Sequence, residues 1–247
     1  MKYKVGLSAG HSNVPGRDQG ATGNSYIEGH LAVEYRALLA FYLRKKGINP
    51  IMDGNNTILK ETINFFKKVI NAGDYILLDI HWNSGSSKSA GTETFIPENP
   101  KKEEIPLAKA FSKITSVVLD IPLRGDEGVK YEYEIHYKKL GFFSLSDLKV
   151  LLEICFITNA SEMESYQRNK NILAEKHAQL LFNFCNGLPL MNSINLDTNT
   201  KNYHVVQTGD TISKIAKKYN VTIETLSSLN KMTNIDFITV GQKIIIP

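Results

Sequence analysis

The chain has 247 residues, 42% of them hydrophobic and 22% charged, the proportions of a globular protein and enough for one large domain with a small companion. That balance excludes a disordered, collagen-like or coiled-coil chain, and a net charge of only +4 lacks the concentrated positive footprint of a nucleic-acid binder. The two cysteines, Cys155 and Cys185, lie in or beside apolar runs and read as buried thiols, not as a disulfide scaffold.

Taken in chain order, Lys2–Ser8 reads as a strand, with no apolar h-region behind its lysines, so a signal peptide is not expected and synthesis in the cytoplasm is. Ile27–Lys46 reads as a helix with Leu31, Tyr35, Leu38 and Tyr42 on one face, stopped at Gly47. Ile48–Met52 is a short strand, Ile58–Asn71 a helix, Tyr75–Ile80 a buried strand and Gly91–Ile96 another. Glu103–Leu119 is a helix entered through Pro106, Lys149–Phe156 an apolar strand, and Ser161–Asn186 one or two closing helices. This alternation predicts an α/β fold, an open mixed sheet flanked by helices on both faces. Residues 188–202, rich in Asn and Thr without periodicity, read as a linker between a domain over 1–187 and a unit over 203–247. That last unit reads as strand, helix, helix, strand: Tyr203–Gln207, Thr211–Tyr219, Ile223–Asn230 and Lys243–Ile246. No stretch reaches the roughly 20 apolar residues that span a bilayer, so membrane insertion is not expected.

Polar residues with catalytic chemistry fall where an apolar core would not put them. His11 follows the first strand, His81 follows Tyr75–Ile80, and Glu153 lies near the end of Lys149–Phe156. The carboxyl ends of strands in an open α/β sheet converge on the ligand crevice. Glu28 precedes Leu31 and Tyr35 by three and seven residues, so it extends the apolar stripe of its helix and points inward. Two imidazoles and a carboxylate around an open position make the ligand set of a hydrolytic zinc ion. His30 falls about 200° around the helix from Glu28 and reads as exposed and not a ligand. His136, His177 and His204 read as hydrogen-bonded surface residues. Asp79 shares a strand face with His81 and is either its outer-shell partner or an ordinary strand residue. Cys155 shares a face with Glu153, but its apolar neighbours supply no base, so it reads as inert.

Ser8-Ala-Gly-His11, Glu28, Leu77-Leu-Asp-Ile-His81-Trp-Asn83, Gly91-Thr-Glu93, Leu123-Arg124-Gly125 and Val150-Leu-Leu-Glu153 through Asn159-Ala-Ser-Glu162 follow one another in the order seen in the zinc-dependent N-acetylmuramoyl-L-alanine amidases of the amidase-3 family. Residues 1–187 resemble that family throughout. The resemblance implies that His11, Glu28 and His81 bind one Zn2+ and that Glu153 is the catalytic carboxylate. It would take the attacking water's proton and pass it to the departing amine. The chain departs from the family at Ser8-Ala9, where Asp-Pro is common, and at Met52-Asp53-Gly54, where an arginine is common. The first departure bears on the loop holding His11, the second on surface or substrate contacts.

Tyr203-His-Val-Val-Gln-Thr-Gly209-Asp210-Thr211, Leu226-Ser-Ser-Leu-Asn230 and Val240-Gly-Gln-Lys243 closely resemble a LysM domain. That resemblance implies binding to N-acetylglucosamine-containing chains, here bacterial peptidoglycan, through Gly209, Asp210, Thr211, Asn230 and Ile235. Asp210 and Thr211 serve equally as helix caps, and Asn230 as a helix terminator. Together the two resemblances imply an endolysin-like cell-wall amidase, released to the wall by a holin-type route or unconventional export, with no protein partner implied. A carboxypeptidase-like zinc peptidase and a non-catalytic wall-binding protein are the alternatives.

Overall fold

A computed structural model of the chain describes residues 2–70, 74–135, 139–196, 202–219, 221–230, 232 and 234–246. The elements of the first unit are β1 (Lys4–Ala9), β2 (Thr22–Gly23), β3 (Tyr26–Ile27), α1 (Glu28–Lys45), β4 (Ile51–Met52), α2 (Leu59–Val69), β5 (Tyr75–Asn83), β6 (Glu93–Ile96), α3 (Glu104–Leu119), β7 (Val129–Tyr131), β8 (Leu148–Phe156) and α4 (Ala160–Cys185). Six strands form one sheet in the order β4-β1-β5-β8-β6-β7. β4, β1, β5 and β8 run parallel, whereas β6 is antiparallel to β8 and parallel to β7. The mixed sheet with helices on both faces is the architecture expected. β7 and the short antiparallel pair β2–β3 had no periodic signal, being two or three residues long.

The central strands are buried on both faces and so read as near-continuous apolar runs. Val5, Leu7, Ile76, Leu78, Ile80, Val150 and Leu152 face the layer made by α1, α3 and α4. The opposite face carries Leu77, Phe95 and Leu151 against Phe66 of α2 and Phe142 of a 3-10 turn at Gly141–Ser144. α1 stops where expected: Gly47 takes φ 78°, and Ile48 N–H bonds back to Leu43 O at 3.0 Å. α4 is one helix. Asn159 caps it by accepting from the amides of Ser161 (3.1 Å) and Glu162 (3.2 Å).

The segment expected to link the domains divides in two. Asn183 Nδ2 donates to Leu190 O (2.9 Å) and Asn192 O (2.7 Å), and Ile194 is buried in the helix-side core. The chain accordingly separates after Leu196. Residues 197–201 lie outside the described residues. The second unit comprises β9 (Asn202–Val205), α5 (Ile212–Tyr219), α6 (Ile223–Leu229) and β10 (Lys243–Ile246), with β9 and β10 antiparallel. Its core is Val206, Ile212, Ile215, Ala216, Leu226, Ile244 and Ile246. Among the described residues, no helix is long and apolar enough to cross a membrane.

Two buried polar groups hold the first unit together. Asp53, 5% exposed, pairs with Arg36 of α1, itself 3% exposed. Asp53 also accepts from Thr62 Oγ1 (2.5 Å), Ser8 Oγ (3.3 Å) and Ala9 N (3.4 Å). The two family departures therefore meet: the residue replacing an arginine tethers Ser8-Ala9 from beneath, and it is buried, not a surface or substrate contact. His177 corrects the surface reading. It is fully buried between α1, α3 and α4, with Nδ1 2.8 Å from Tyr35 Oη and Nε2 3.2 Å from Thr115 Oγ1. An imidazole on a long helix faces inward or outward by phase alone, and here the phase is inward. His136 lies outside the described residues.

Removing the Asp53 carboxylate leaves Arg36 buried and unpaired, a loss of about 3–5 kcal/mol. Asp53→Ala is thus expected to lower the urea midpoint sharply, and Arg36→Met combined with Asp53→Leu to recover much of it. Losses under about 1 kcal/mol for the single variant would show that the pair behaves as a surface bridge.

Burial pushes the His177 imidazole down to about 3, against about 6.5 in an unfolded chain. Between these values the unfolded chain binds a proton that the folded chain refuses. The stability held by the neutral imidazole is therefore full above pH 6.5 and is lost as pH falls toward 3. His177→Phe should be less stable at pH 8, yet lose stability less steeply below pH 6, by about 1.4 kcal/mol per pH unit. Urea unfolding of both proteins at pH 8, 6 and 4.5 checks this, and parallel profiles would refute it.

Candidate functional site

At the carboxyl edge of β1 and β5 the chain turns sharply. Gly10 follows β1, and a Cβ there would lie 2.3 Å from the His81 ring. Gly20 has φ 72°, and its Cβ would lie 2.5 Å from both Glu28 Oε2 and His11 Cδ2. Only glycine lets the two loops close this tightly. His11 itself holds φ 68°, a left-handed conformation rare outside glycine and a marker of local strain.

These turns bring His11, Glu28 and His81 together, with one potential ligand atom from each lying within 4.8 Å of the others. His11 Nε2 is 3.4 Å from Glu28 Oε2, and His81 Nδ1 is 2.9 Å from Glu28 Oε1. The remaining nitrogens are held from outside. Asp18 Oδ1 lies 3.0 Å from His11 Nδ1, and Asp79 Oδ2 3.2 Å from His81 Nε2. Each imidazole thus has one nitrogen turned to a shared carboxylate and the other fixed by its own carboxylate, the pattern of histidines that ligate metal. Asp79 sits where the strand alternation puts it. Asp18 had no signal, because it reaches His11 through an irregular loop.

The electrostatics point the same way. Burial alone would raise the Glu28 carboxyl, but the hydrogen bond and charge of His81, with the charge of His11, hold it below its ordinary value. Burial opposes charge on His81, yet the carboxylates of Asp79 and Glu28 lift it well above the usual imidazole range. A cavity of about 420 Å³ opens over the site. Among the described residues its lining includes His11, Asp18, Asp79, His81 and Glu153 but no lysine or arginine, and Leu59, Leu140, Phe142 and Leu151 form an apolar wall. Carboxylates gathered without a basic side chain, around two imidazoles, suit a divalent cation. The residues present therefore fit a zinc ion.

Glu153 pairs in register with His81 across β5 and β8. Its Oε2 is buried with no hydrogen-bond partner among the described residues. Burial pushes the carboxyl up to about 8; the charge of His81 opposes this, while those of Glu28, Glu93 and Asp79 add to it. Cys155 does not share its face. The β5–β8 register shifts between His81 and Asn83, and Cys155 Sγ packs 3.9 Å from Met163 Sδ in the helix-side core. Burial drives that thiol well above its ordinary range, in keeping with an inert group. His30 is exposed, with Nε2 3.0 Å from Asn13 O.

In the second unit the five named positions separate. Gly209, Thr211 and Ile235 are exposed. Asp210 instead accepts from Gln207 N (2.7 Å) and faces His204 Nε2 (2.7 Å). His204 is buried, which corrects its surface reading. The cap of α5 is Thr211, whose Oγ1 accepts from Lys214 N at 3.3 Å. Asn230 bridges both polar groups of Ile245, accepting from its amide at 2.7 Å and donating to its carbonyl at 2.9 Å.

Comparison with known proteins agrees with this architecture. A family model for N-acetylmuramoyl-L-alanine amidase matches residues 5–183, and a LysM domain model matches residues 204–247. Protein YqiI of Bacillus subtilis strain 168 is 30% identical over 165 residues, covering 65% of this chain and 73% of its own length. The N-acetylmuramoyl-L-alanine amidase from Clostridium difficile 630 shares the fold at TM-score 0.61 and 20% identity, over 74% of this chain and 97% of that one. The catalytic domain of the CD27L endolysin does so at TM-score 0.56 and 20% identity, over 75% of this chain and 98% of that one. The chain belongs to the N-acetylmuramoyl-L-alanine amidase family, peptidoglycan hydrolases that cut the amide between N-acetylmuramic acid and L-alanine, and it carries a C-terminal LysM domain.

Proposed function

We propose that the chain hydrolyses this amide with one zinc ion held by His11, Glu28 and His81, with Glu153 carrying the proton and the LysM domain holding the enzyme on peptidoglycan. The observation that supports this most strongly is the Glu28 carboxylate shared by two imidazoles, each backed by its own aspartate. When bound, zinc supplies the Lewis acidity that polarises an amide carbonyl and makes water a better nucleophile near neutral pH.

The remaining work falls to the chain. Asp18 and Asp79 fix the ring orientation of His11 and His81. Glu153, beside His81 but outside the ligand set, has a buried oxygen with no partner among the described residues. It takes the proton of the attacking water and delivers it to the departing amine of L-alanine. The apolar wall of Leu59, Leu140 and Phe142 keeps bulk water from that side of the cavity. In the LysM domain, Gly209, Thr211 and Ile235 are offered to the glycan, while Asp210 and Asn230 shape the groove through the bonds they already make.

Zinc content and amide hydrolysis measured side by side test the assignment of the two carboxylates. Glu153→Ala should keep zinc and lose at least about 10²–10⁴-fold in turnover, with Glu153→Gln no better. Glu28→Ala should lose the metal, and exhaustive chelation should abolish hydrolysis until zinc is restored. Loss of zinc from Glu153→Ala with retention in Glu28→Ala would reverse the roles. The products should carry a new amino-terminal L-alanine; released D-amino acid would indicate a carboxypeptidase instead.

Truncation after Leu196, which keeps Ile194 in the core, should leave cleavage of soluble muropeptides nearly unchanged and weaken sedimentation with intact walls. Equal sedimentation of truncated and full-length protein would remove the targeting role.

A further inference from the structure

The sheet face that carries His81 and Glu153 continues beyond β8. Because β6 runs antiparallel to β8, Glu93 stands directly opposite Glu153 and on the same face. β7 places Lys130 opposite Phe95, two residues beyond Glu93. Glu93 is 2% exposed. Its Oε2 lies 3.0 Å from Arg124 Nε and 2.6 Å from Lys130 Nζ, and its Oε1 accepts from Asn83 Nδ2 at 2.8 Å. Arg124 also stacks 4.9 Å from the Phe156 ring centroid and donates from Nη1 to Ala90 O at 3.3 Å. Both cations stay partly open to solvent, with side chains 35% and 21% exposed. One buried carboxylate needs one cation, and here two share it. Glu162, also buried, faces Arg124 as well. Two partly exposed cations thus sit beside Glu153, on the side away from the acidic ligand cavity.

We propose that Arg124 and Lys130 bind a carboxylate of the stem peptide, so that the peptide runs from the scissile amide across β6 and β7 while the sugar lies toward α2. The inference rests on the amidase reading above. Its direction follows from Glu153: the proton goes to the departing amine, so the amine side of the scissile bond faces Glu153 and whatever lies beyond it. Strands are about 4.8 Å apart and residues along a strand about 3.3 Å, which puts Glu93 and Lys130 roughly 5 and 12 Å from Glu153. An extended peptide advances about 3.5 Å per residue, so the second residue of the stem brings its carboxylate within reach of the guanidinium. Carboxylate recognition by a guanidinium already oriented through Glu93, Phe156 and Ala90 loses little further freedom on binding.

The test uses the full-length enzyme and two soluble muropeptides that differ only in the second residue of the stem, its carboxylate free in one and amidated in the other. Wild type should show a KM about tenfold lower for the free carboxylate. Arg124→Gln and Lys130→Met should each remove most of that preference, leaving kcat and the KM for the amidated peptide within about twofold, and Lys130→Arg should retain it. Each single variant leaves Glu93 one cation, and thermal melts report its folding; the wild-type comparison decides the matter even where a variant unfolds. Equal KM values for both peptides in wild type, or variants that lose kcat on both alike, would overturn the proposal and leave the pair as counter-ions to Glu93. Cleavage of neither peptide by wild type would overturn the amidase reading together with it.

Discussion

A carboxylate only 3% exposed, at the first turn of a helix, is the constraint on which the site depends. Glu28 opens α1, where unpaired backbone N–H groups favour negative charge, and two more amides reach it: Ala21 N at 2.8 Å and Trp82 N at 3.1 Å. Those donors come from the approach to β2 and from the end of β5. One side chain therefore joins three segments distant in sequence, and both imidazoles are held against it. Hydrogen bonds from neutral groups do not fully offset the burial of a charge. The residual demand is for a cation, and the two histidines leave room for one to sit among them.

The sheet supplies the rest by direction. Parallel β1, β5 and β8 all end at one edge, which brings His11, His81 and Glu153 to it. The reversal at β6 matters as much. It presents the start of that strand at the same edge, so Glu93 lies next to Glu153 although it opens its strand and Glu153 nears the end of its own.

The clustered residues proposed as ligands stood out in the sequence because each interrupts an apolar run. Tyr75–Ile80 predicts a buried strand, and a histidine at its end is a departure from what burial favours; the same holds for Glu153 and for the inward phase of Glu28. What escaped has equally physical causes. β7 is too short to show a period, and antiparallel pairing of β6 depends on connections, not composition. A register shift between His81 and Asn83 turned Cys155 from the face that strict alternation assigns it. Asp18 meets His11 through a loop, and Arg36 meets Asp53 across 17 residues of chain, so neither pairing is local. In the LysM unit, Asp210 and Thr211 both suit a helix start, and the choice fell to Thr211 because His204, buried beside them, engages Asp210.

The placement of basic residues completes the electrostatic argument. A lysine or arginine free to swing into the cavity would compete with a divalent ion for Glu28, Asp79 and Glu153, and none lines it among the described residues. The nearest buried arginine on the β1 side is paired with Asp53, which also holds Ser8 and Ala9 just ahead of the His11 turn. On the β8 side, Arg124 and Lys130 are both drawn to Glu93. The acidic tether is complete in one case and shared in the other. Arg36 is therefore confined to holding the strand edge in shape, whereas the pair on Glu93 keeps two partly exposed cations near Glu153. The same device, a buried carboxylate anchoring a cation, thus keeps Arg36 away from the proposed metal site on one flank and holds two partly exposed cations on the other.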